Sequence, residues 1–307
     1  MKPDLAILYE HPSWFAPLFA ALDRRGVRYV AQHLSDHSFD PAGSVPPSPV
    51  VLSRVAMSSF LREAEHGIFY AEALFAHWAA CGARVINGAN VLAIDRSKAR
   101  QLALIADLGL GIPRTRVVHR AADLAAAAQA IGFPLVVKAN IGGSGAGIVR
   151  YHSVDELAAS VAAQTVPDSI DRVLLVQEYI PARAGTVTRI ETLGGKFLYA
   201  IDIESSADNF DLCPADACDV ARGPGAIRMM RADPAAALID AAERIARAAG
   251  LDVGGIEVMI DDRDGSARYY DINGLSNFVA RPLDVLGWDP HEALIDYLEA
   301  AIAAERS

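Results

Sequence analysis

Two lysines and a glycine-rich segment follow one another in an order that suits phosphate binding. Lys98 opens a helix in the motif DRSK, and Lys138 ends the apolar run PLVVK. The hexapeptide Gly142-Gly-Ser-Gly-Ala-Gly147 begins four residues after Lys138. Glycines permit positive φ and close approach, so the main-chain amides of such a loop can turn toward anionic oxygens. We therefore predict that both lysines and the loop bind phosphate.

The glycine-rich segment does not match the common nucleotide fingerprints. In the G-x-G-x-x-G spacing the third glycine position would fall on Ile148, and neither the Gly-Lys-Ser/Thr sequence nor the helix of a P-loop follows. The segment lies instead between two predicted strands, where it could act as a flap. A plain hairpin loop and two solvated surface lysines are the alternative interpretation of the same residues.

Three oxygen-bearing side chains in the last third of the chain suit a divalent cation. Glu257 is the one carboxylate in the apolar run GGIEVMI, and Asp271 and Asn273 follow in the motif YDIN. Residues two apart on a strand point to one face, so pairing of the two strands would bring the three side chains together. Mg²⁺ prefers a few carboxylate oxygens with phosphate and water. For Asp271 and Asn273, the capping of a turn is the alternative.

The composition limits the classes of function. The chain has 307 residues, a hydrophobic fraction of 52% and a formal net charge of −10. This length suits two or three domains, and the negative charge disfavours general binding to nucleic acid or to anionic membranes. Three cysteines do not make a disulfide framework, and no apolar run reaches the ~18 residues of a membrane helix. We therefore expect a reduced, cytoplasmic protein.

The first third of the chain alternates strands with helices, which predicts an open and mainly parallel sheet. Its apolar runs predict four strands, and the stretch from Met57 to Ala80 predicts one long helix. We place a domain boundary near Asn90. The strands are predicted at Leu5–Tyr9, Val27–Ala31, Val50–Ser53 and Arg84–Asn87.

The remainder of the chain supplies the elements that would position the polar residues. A helix is predicted from about Ser97 to Leu108, and strands are predicted on both sides of the glycine loop. The pair Gly194-Gly195 between two β-type runs predicts a hairpin. Asp233-Pro234 predicts the start of a helix that ends at Gly250, because Asp caps helices and Pro fits their first position.

Taken together, these motifs resemble the ATP-grasp superfamily, and most closely its branch of glutamate ligases that modify ribosomal protein and coenzymes. The resemblance runs from about Asn87 to the C-terminus through DRSKARQLALIADLGLGIPRT, FPLVVKANIGGSGAGI, VQEYI, GGIEV and DIN. It implies an α/β architecture in which two α+β subdomains grip ATP behind an α/β pre-ATP-grasp domain with a mainly parallel sheet. We assign residues 1–90 to that N-terminal domain, 91–176 to the central subdomain with the lid, and 177–307 to the C-terminal subdomain with the metal site.

The resemblance also implies roles for individual residues. Lys98 and Lys138 would contact the phosphates of ATP, and Arg189 would steady the transferring phosphate or the acyl-phosphate together with Lys138. Glu257, Asp271 and Asn273 would hold Mg²⁺. The lid over the phosphates would contain Gly142, Gly143, Ser144, Gly145 and Gly147, and the hinge beside adenine would contain Gln177, Glu178, Tyr179 and Ile180.

Three positions depart from the pattern of the family. Val187 stands where a similar ligase commonly has an acid for the ribose hydroxyls, so the sequence leaves the holding of ribose open. Asp271 is one methylene shorter than the glutamate often found there, and Ala139 replaces a proline that often follows the second lysine.

Five further residues are candidates for substrate contacts. Arg54 and Arg281 could bind a substrate carboxylate, or could form surface ion pairs. Arg222 falls near an Arg-Gly segment of the family. Cys213 and Cys218 lie in a segment that lines the acceptor side in similar ligases; they lack the partners of a zinc site, and loop thiols without function are the alternative.

The resemblance implies an ATP-dependent ligase that forms an amide from a carboxylate, of an amino acid or peptide, and an amine. The expected cofactors are ATP and Mg²⁺, as two ions, with Mn²⁺ as a substitute. The expected partners are the small-molecule or peptide substrates, without nucleic acid or membrane, and homo-oligomerisation stays open. Two alternatives remain: an ATP-grasp kinase that phosphorylates a small molecule, and a nucleotide-binding regulator without turnover. Neither substrate is identified by the sequence.

Overall fold

The computed structural model describes residues 3–11, 13–62, 66–143, 145, 147–204 and 227–306. Its first sheet is parallel, with the strand order β2-β1-β3-β4. Helix α1 (Ala16–Arg25) packs on one face of this sheet and helix α2 (Gly67–Ala80) on the other. The four strands are β1 (Leu5–Tyr9), β2 (Tyr29–His33), β3 (Val50–Arg54) and β4 (Arg84–Ile86).

The prediction of one long helix from Met57 to Ala80 is wrong. Met57–Leu61 forms a short 3-10 helix, and α2 begins only at Gly67. Ser58 and Ser59, both buried, begin the stretch. Serine disfavours a helix interior because its hydroxyl competes for nearby main-chain groups. The segment after β3 is therefore a compact turn at the edge of the first sheet.

The second sheet is antiparallel, with the order β5-β8-β6-β7. Helices α3 (Ala89–Asp95) and α4 (Lys98–Asp107) precede it, and helices α5 (Leu124–Ile131) and α6 (Val154–Ala162) pack on its apolar face. The predicted hairpin around the glycine loop is present, because β6 pairs with β7. The strands are β5 (Thr115–Val118), β6 (Leu135–Ala139), β7 (Ile148–Tyr151) and β8 (Leu174–Glu178).

The third sheet is antiparallel, with the order β11-β10-β9-β12-β13. The predicted turn at Gly194-Gly195 joins β9 to β10, with both glycines at positive φ. Helix α7 starts at Ala236, three residues after Asp233. Its cap position is Ala235, whose side chain cannot accept a hydrogen bond, so the predicted Asp233 cap is wrong. The strands are β9 (Ala182–Leu193), β10 (Lys196–Glu204), β11 (Met229–Ala232), β12 (Val253–Asp261) and β13 (Ala267–Asn273), and the helices are α7 (Ala236–Ala249), α8 (Pro282–Val285) and α9 (Pro290–Ala304).

The first and third sheets share one hydrophobic core. Leu5 and Leu52 of the first sheet belong to one buried cluster. The same cluster contains Ile201 of β10, Phe278 of the segment before α8, and Leu294 of α9. The boundary predicted near Asn90 therefore separates two parts of the sequence whose sheets are packed against each other. None of the helices in the described ranges is both long and apolar enough to cross a membrane.

Asn87 joins the two sheets through its side chain. Its Nδ2 donates to the carbonyl oxygens of Val253 and Gly274, both at 2.5 Å, and its Oδ1 accepts from Asp252 N at 2.8 Å. The residue is buried and has a φ of 50°, a conformation that Asn tolerates better than most residues. This contact fixes the end of β4 against the start of β12.

Candidate functional site

Lys138 is a buried ammonium without a counter-charge in contact. It lies in β6 with 4% exposure, and among the described residues no carboxylate forms an ion pair with it. Burial, assisted by the nearby positive charge of Lys98, lowers the pKa of Lys138 to about 7. Its Nζ lies 5.8 Å from the ring centre of Tyr270. A buried charge of this kind is costly unless it is paired, so the position favours an anionic ligand.

Lys98, by contrast, is already paired. Its Nζ forms an ion pair with Asp271 Oδ1 in β13. Although burial opposes the charge, Asp271 raises the pKa of Lys98 above its ordinary value. The structure thus pairs a lysine that was predicted to bind phosphate with an aspartate that was predicted to bind the metal. A cation bound by Asp271 would have to displace Lys98 from this ion pair.

The two lysines are brought together by Asn140. Lys98 N donates to the main-chain oxygen of Asn140 at 3.2 Å, and Ala99 N donates to Asn140 Oδ1 at 2.9 Å. Ser97 caps α4 by accepting from Arg100 N. The start of α4 is therefore attached to the end of β6, two residues after Lys138. This tie to the motif KAN was not predicted.

The predicted metal ligands lie on paired strands. Glu257 in β12 is directly opposite Asp271 in β13, and Asn273 Nδ2 donates to Glu257 Oε1 at 3.4 Å. Burial, and next the charge of Asp271, raise the pKa of Glu257. A divalent cation would relieve the repulsion between the two carboxylates, so this set of oxygen donors fits Mg²⁺. Within the described ranges no group of three or more His, Cys, Asp or Glu side chains could hold a metal, and the predicted set has two such residues and one amide.

Arg189 occupies the other side of Glu257. It lies opposite Glu257 in the β9–β12 pairing, its Nη1 is 3.2 Å from Glu257 Oε1, and its Nε is 2.7 Å from Glu191 Oε1. Burial opposes its charge, but Glu191 and Glu257 hold its pKa above the ordinary value. A Cβ atom at Gly255 would lie 2.6 Å from Arg189 Nε. Glycine in the motif GGIEV therefore makes room for the guanidinium.

The glycine loop contacts the N-terminal sheet. Four of its predicted phosphate-binding glycines, at 142, 143, 145 and 147, are described, whereas Ser144 lies outside the described residues. A Cβ atom at Gly143 would lie 3.0 Å from Ser58 Cβ and 3.2 Å from Ser58 N. At the other end, Ala139 N donates to Gly147 O at 2.9 Å. The loop thus extends from Lys138 to the turn that follows β3.

The predicted adenine hinge is held by its own side chains. Glu178 accepts from Arg114 N at 2.8 Å and from Arg263 Nη2 at 3.3 Å. Although burial acts in the opposite direction, these hydrogen bonds hold the pKa of Glu178 below its usual value. Gln177 Nε2 donates to Thr115 Oγ1 at 2.8 Å. Both side chains therefore stabilise the end of β8, and Ile180 is buried beyond them.

Tyr270 and Asp95 belong to the site but were not predicted. Tyr270 donates its hydroxyl hydrogen bond to Glu257, and burial raises its pKa well above the ordinary value. Burial also raises the pKa of Asp95 to about 7, against a hydrogen bond from the main chain of Gly274. Both residues stand inside motifs that carry the resemblance, YDIN and DRSK, and this position is the signal that could have identified them.

Other predicted site residues have different positions. Val187 is buried in β9 opposite Met259, so its side chain offers ribose no hydrogen bond. Arg281 is exposed, precedes α8 and has a φ of 50°. The guanidinium carbon of Arg150 lies over the ring of Tyr179, 4.8 Å from the ring centre. Cys213, Cys218 and Arg222 lie outside the described residues.

Comparison with known families and proteins gives a consistent result. Residues 95–274 match the model of the RimK-like ATP-grasp domain. The chain is 26% identical over 195 residues to a protein of Shewanella frigidimarina named probable alpha-L-glutamate ligase 2, covering 62% of this chain and 60% of that protein. The chain thus spans about three fifths of the length of the curated relatives that it matches.

Two solved structures share the fold over nearly the whole chain. One is D-alanine–D-alanine ligase from Bacillus anthracis complexed with ATP, with a TM-score of 0.69, 16% identity and coverage of 98% of this chain and 97% of that one. The other is the ATP-grasp ligase PsnB complexed with a minimal precursor, Mg and ADP, with a TM-score of 0.67, 16% identity and coverage of 98% of both chains. These similarities establish the ATP-grasp fold, including the N-terminal α/β sheet.

Proposed function

The chain belongs to the RimK-like ATP-grasp family, and we propose that it is an ATP-dependent ligase joining a carboxylate to an amine through an acyl-phosphate. The observation that carries this proposal is the buried ammonium of Lys138, which has no ion-pair partner among the described residues and lies between the glycine loop and the carboxylates of β12 and β13. Such a charge suits the terminal phosphates of ATP. We assign adenine to the hinge of residues 177–180.

Three positive groups would absorb the charge that develops on the transferring phosphate. Lys138 and Lys98 approach from the second sheet and α4, and Arg189 approaches from β9. Mg²⁺, held by Glu257, Asp271 and Asn273, would supply further charge neutralisation at the phosphates. Phosphoryl transfer needs mainly positioning and electrostatic stabilisation, so these groups are sufficient for the first step.

The reaction proceeds in two balanced steps. In the first, a carboxylate oxygen attacks the γ-phosphorus, the bond from this phosphorus to the bridging oxygen breaks, and ADP leaves with that oxygen. In the second, the amine nitrogen attacks the carbonyl carbon of the acyl-phosphate, phosphate leaves with its oxygen, and the amine proton passes to solvent. The products are an amide, ADP and phosphate.

Amino acids or short peptides are the proposed substrates. The relatives named above are a glutamate ligase, a D-alanine–D-alanine ligase and a ligase solved with a precursor peptide. The net charge of −10 is consistent with small or peptide substrates held by local cations, rather than with nucleic acid. Dependence on ATP fits the cytoplasmic location expected from the sequence.

Product analysis tests the proposed function. Candidate acids and amines are combined in pairs with ATP and Mg²⁺, and ADP, AMP and phosphate are counted. We expect ADP and phosphate, and we expect hydroxylamine to give a hydroxamate when the acid is present and the amine is withheld. AMP with pyrophosphate would contradict γ-transfer. ADP with a stable phosphoester, and no hydroxamate from any acid, would indicate a kinase instead.

A further inference from the structure

Arg54 is the largest of the almost completely buried side chains among the described residues. It ends β3, it is 1% exposed, and its Nη1 has no hydrogen-bond partner in the described part of the chain. Burial lowers its pKa to about 10. A guanidinium carries five N–H donors, and leaving a buried one unpaired costs several-fold more than an ordinary hydrogen bond contributes. The stability of the fold does not account for this residue.

Glu191 is a buried carboxylate that, like Arg54, has one atom without a hydrogen-bond partner among the described residues. It is 0% exposed, its Oε1 accepts from Arg189, and its Oε2 has no partner among the described residues. Its negative charge is the one that acts favourably on Arg54 through space. Nevertheless the ion pair of Glu191 is with Arg189, and Arg54 does not join it. A buried donor atom of Arg54 and a buried acceptor atom of Glu191 therefore both have no partner in the described part of the chain and are available to a third group.

We propose that Arg54 and Glu191 form the binding subsite for an α-amino acid that serves as the amine substrate. Arg54 would bind the α-carboxylate as a fork, and Glu191 Oε2 would accept from the α-amino group. An amino acid is the smallest ligand that carries both complementary charges on neighbouring atoms. This inference rests on the proposed ligase function and names one of its two substrates.

The order of charged groups assigns the subsite to the amine and not to the carboxylate that is phosphorylated. Glu257, Arg189 and Glu191 form one continuous chain of ion pairs. The acid to be activated belongs at the Glu257 end, where the metal ligands and Lys98 lie. Glu191 Oε2 is at the other end of the chain, one guanidinium away. An amino group held there would lie on the side of Arg189 opposite Glu257.

The place of Arg54 in the fold supports the same assignment. In open sheets of parallel strands, ligands bind beyond the carboxyl ends of the strands, and Arg54 is the last residue of β3. Ser59, in the turn that follows, also has a buried Oγ without a partner in the described part of the chain. The glycine loop reaches this turn at Ser58. The edge of the first sheet thus faces the proposed nucleotide site.

Hydroxylamine separates this subsite from the activation step. Hydroxylamine carries no carboxylate, so its reaction should not depend on Arg54. The reaction of an amino acid should depend on Arg54, because this residue would bind the α-carboxylate. The twenty standard amino acids and D-alanine are first tested as amines with wild type. The amino acid that gives the fastest ADP release is then used as the amine probe. For Arg54→Met we expect the KM for that amino acid to rise about 100-fold, as when one partner of a buried charge pair is removed. Hydroxamate formation should stay within about twofold of wild type.

Two matched variants complete the experiment. Arg116→Met makes the same substitution at an exposed position in β5 and should leave both rates unchanged. Arg54→Lys keeps the charge but not the fork, and should recover part of the loss in KM. Glu191→Gln should also lower amide formation more than hydroxamate formation.

A second measurement does not depend on how well the Arg54 variants fold. The methyl ester of the amine probe lacks the α-carboxylate charge, and wild type should show a KM for it about 100-fold above that for the free amino acid. In Arg54→Met the two KM values should become nearly equal. Equal use of ester and acid by wild type would overturn the subsite.

The outcomes distinguish the subsite from the proposed function. Wild type that forms neither amide nor hydroxamate would refute the ligase itself. Wild type that forms hydroxamate but accepts no amino acid as amine would refute only the subsite. Arg54→Met that loses both products equally, or loses neither, would also refute only the subsite.

Discussion

The third sheet and the β6–β7 hairpin hold their charged side chains in opposite ways. In the third sheet Glu257, Arg189 and Glu191 form a series of ion pairs on paired strands. In the hairpin, Lys138 is buried without an ion-pair partner in the described ranges, next to a loop of glycines. One half of the candidate site is therefore preorganised by the protein, and we propose that the other half is completed by bound ATP.

This difference has an energetic meaning. The mutual attraction of buried ion pairs offsets part of their desolvation cost, so the third-sheet series can be maintained in the absence of a ligand. A single buried ammonium is destabilising until an anion binds, so part of the binding energy of ATP would compensate that cost. Substitutions in the two regions should consequently have different effects on stability and on activity.

The largest effect is expected from Lys138→Ala. Loss of the ammonium should lower kcat/KM by at least about 100-fold, as for other groups that stabilise transferring charge. The melting temperature should not fall, because the variant removes a buried charge that the protein leaves unpaired. Lys196→Ala, at an exposed residue paired with Glu243, is the control and should keep full activity. A folded Lys138→Ala protein with wild-type kinetics would refute the contrast between the two regions.

Gly255→Ala tests the preorganised half. The added methyl would lie 2.6 Å from Arg189 Nε, so the guanidinium must move and its ion pair with Glu257 must weaken. We expect kcat to fall by about 10- to 100-fold, since misplacing a positioning group by 1 Å has this order of effect. The melting temperature should fall as well, in contrast to Lys138→Ala. Activity and thermal unfolding are measured on the same sample, and an unchanged kcat would show that Arg189 need not be held in place.

Asp271→Asn should separate metal binding from nucleotide binding. One carboxylate is lost from the proposed cation site and Lys98 loses its partner, while the hinge is untouched. We expect the Mg²⁺ midpoint of activity to rise about 10-fold, and the affinity for ADP without metal to change little. Asp262→Asn, at an exposed position after β12, serves as the control. A titration of activity with Mg²⁺ gives the answer, and an identical midpoint would remove Asp271 from the cation site.

The smallest effect is expected from Gly143→Ala. Its Cβ would press on Ser58 at 3.0 Å, so the glycine loop would have to shift away from the N-terminal sheet. A half-buried loop adjusts more easily than a core, and we expect the KM for ATP to rise by less than about tenfold with kcat nearly unchanged. Steady-state kinetics at varied ATP measure this. A larger loss of kcat than of ATP affinity would indicate that the loop acts in chemistry rather than in binding.

Local patterns in the sequence predicted three of the pairings between neighbouring strands. Pairing of the strands that carry Glu257 and Asp271 follows from two apolar runs on either side of a short acidic turn. The hairpin that begins at Lys138 and the turn at Gly194-Gly195 follow from their glycines. Such signals lie within a few residues of the contact that they specify, so one sequence is enough to predict them.

Contacts between distant parts of the chain were not predictable in the same way. The pairing of Lys98 with Asp271 joins residues 173 positions apart, and that of Arg114 with Glu178 joins residues 64 apart. Within the described ranges Arg54 Nη1 and Glu191 Oε2 have no hydrogen-bond partner, and no local pattern in the sequence encodes which groups fail to reach these atoms.

The core shared by the first and third sheets limits how this protein can be recombined. Leu5 and Leu52 share a buried cluster with Ile201 and Phe278. Asn87 donates hydrogen bonds to Val253 in β12 and to Gly274 just after β13. A chimera that received the first 90 residues of a related ligase would inherit a foreign apolar face on one side of that core. Exchange of substrate preference by grafting the N-terminal segment would therefore require matching changes in β10 and in the segment before α8.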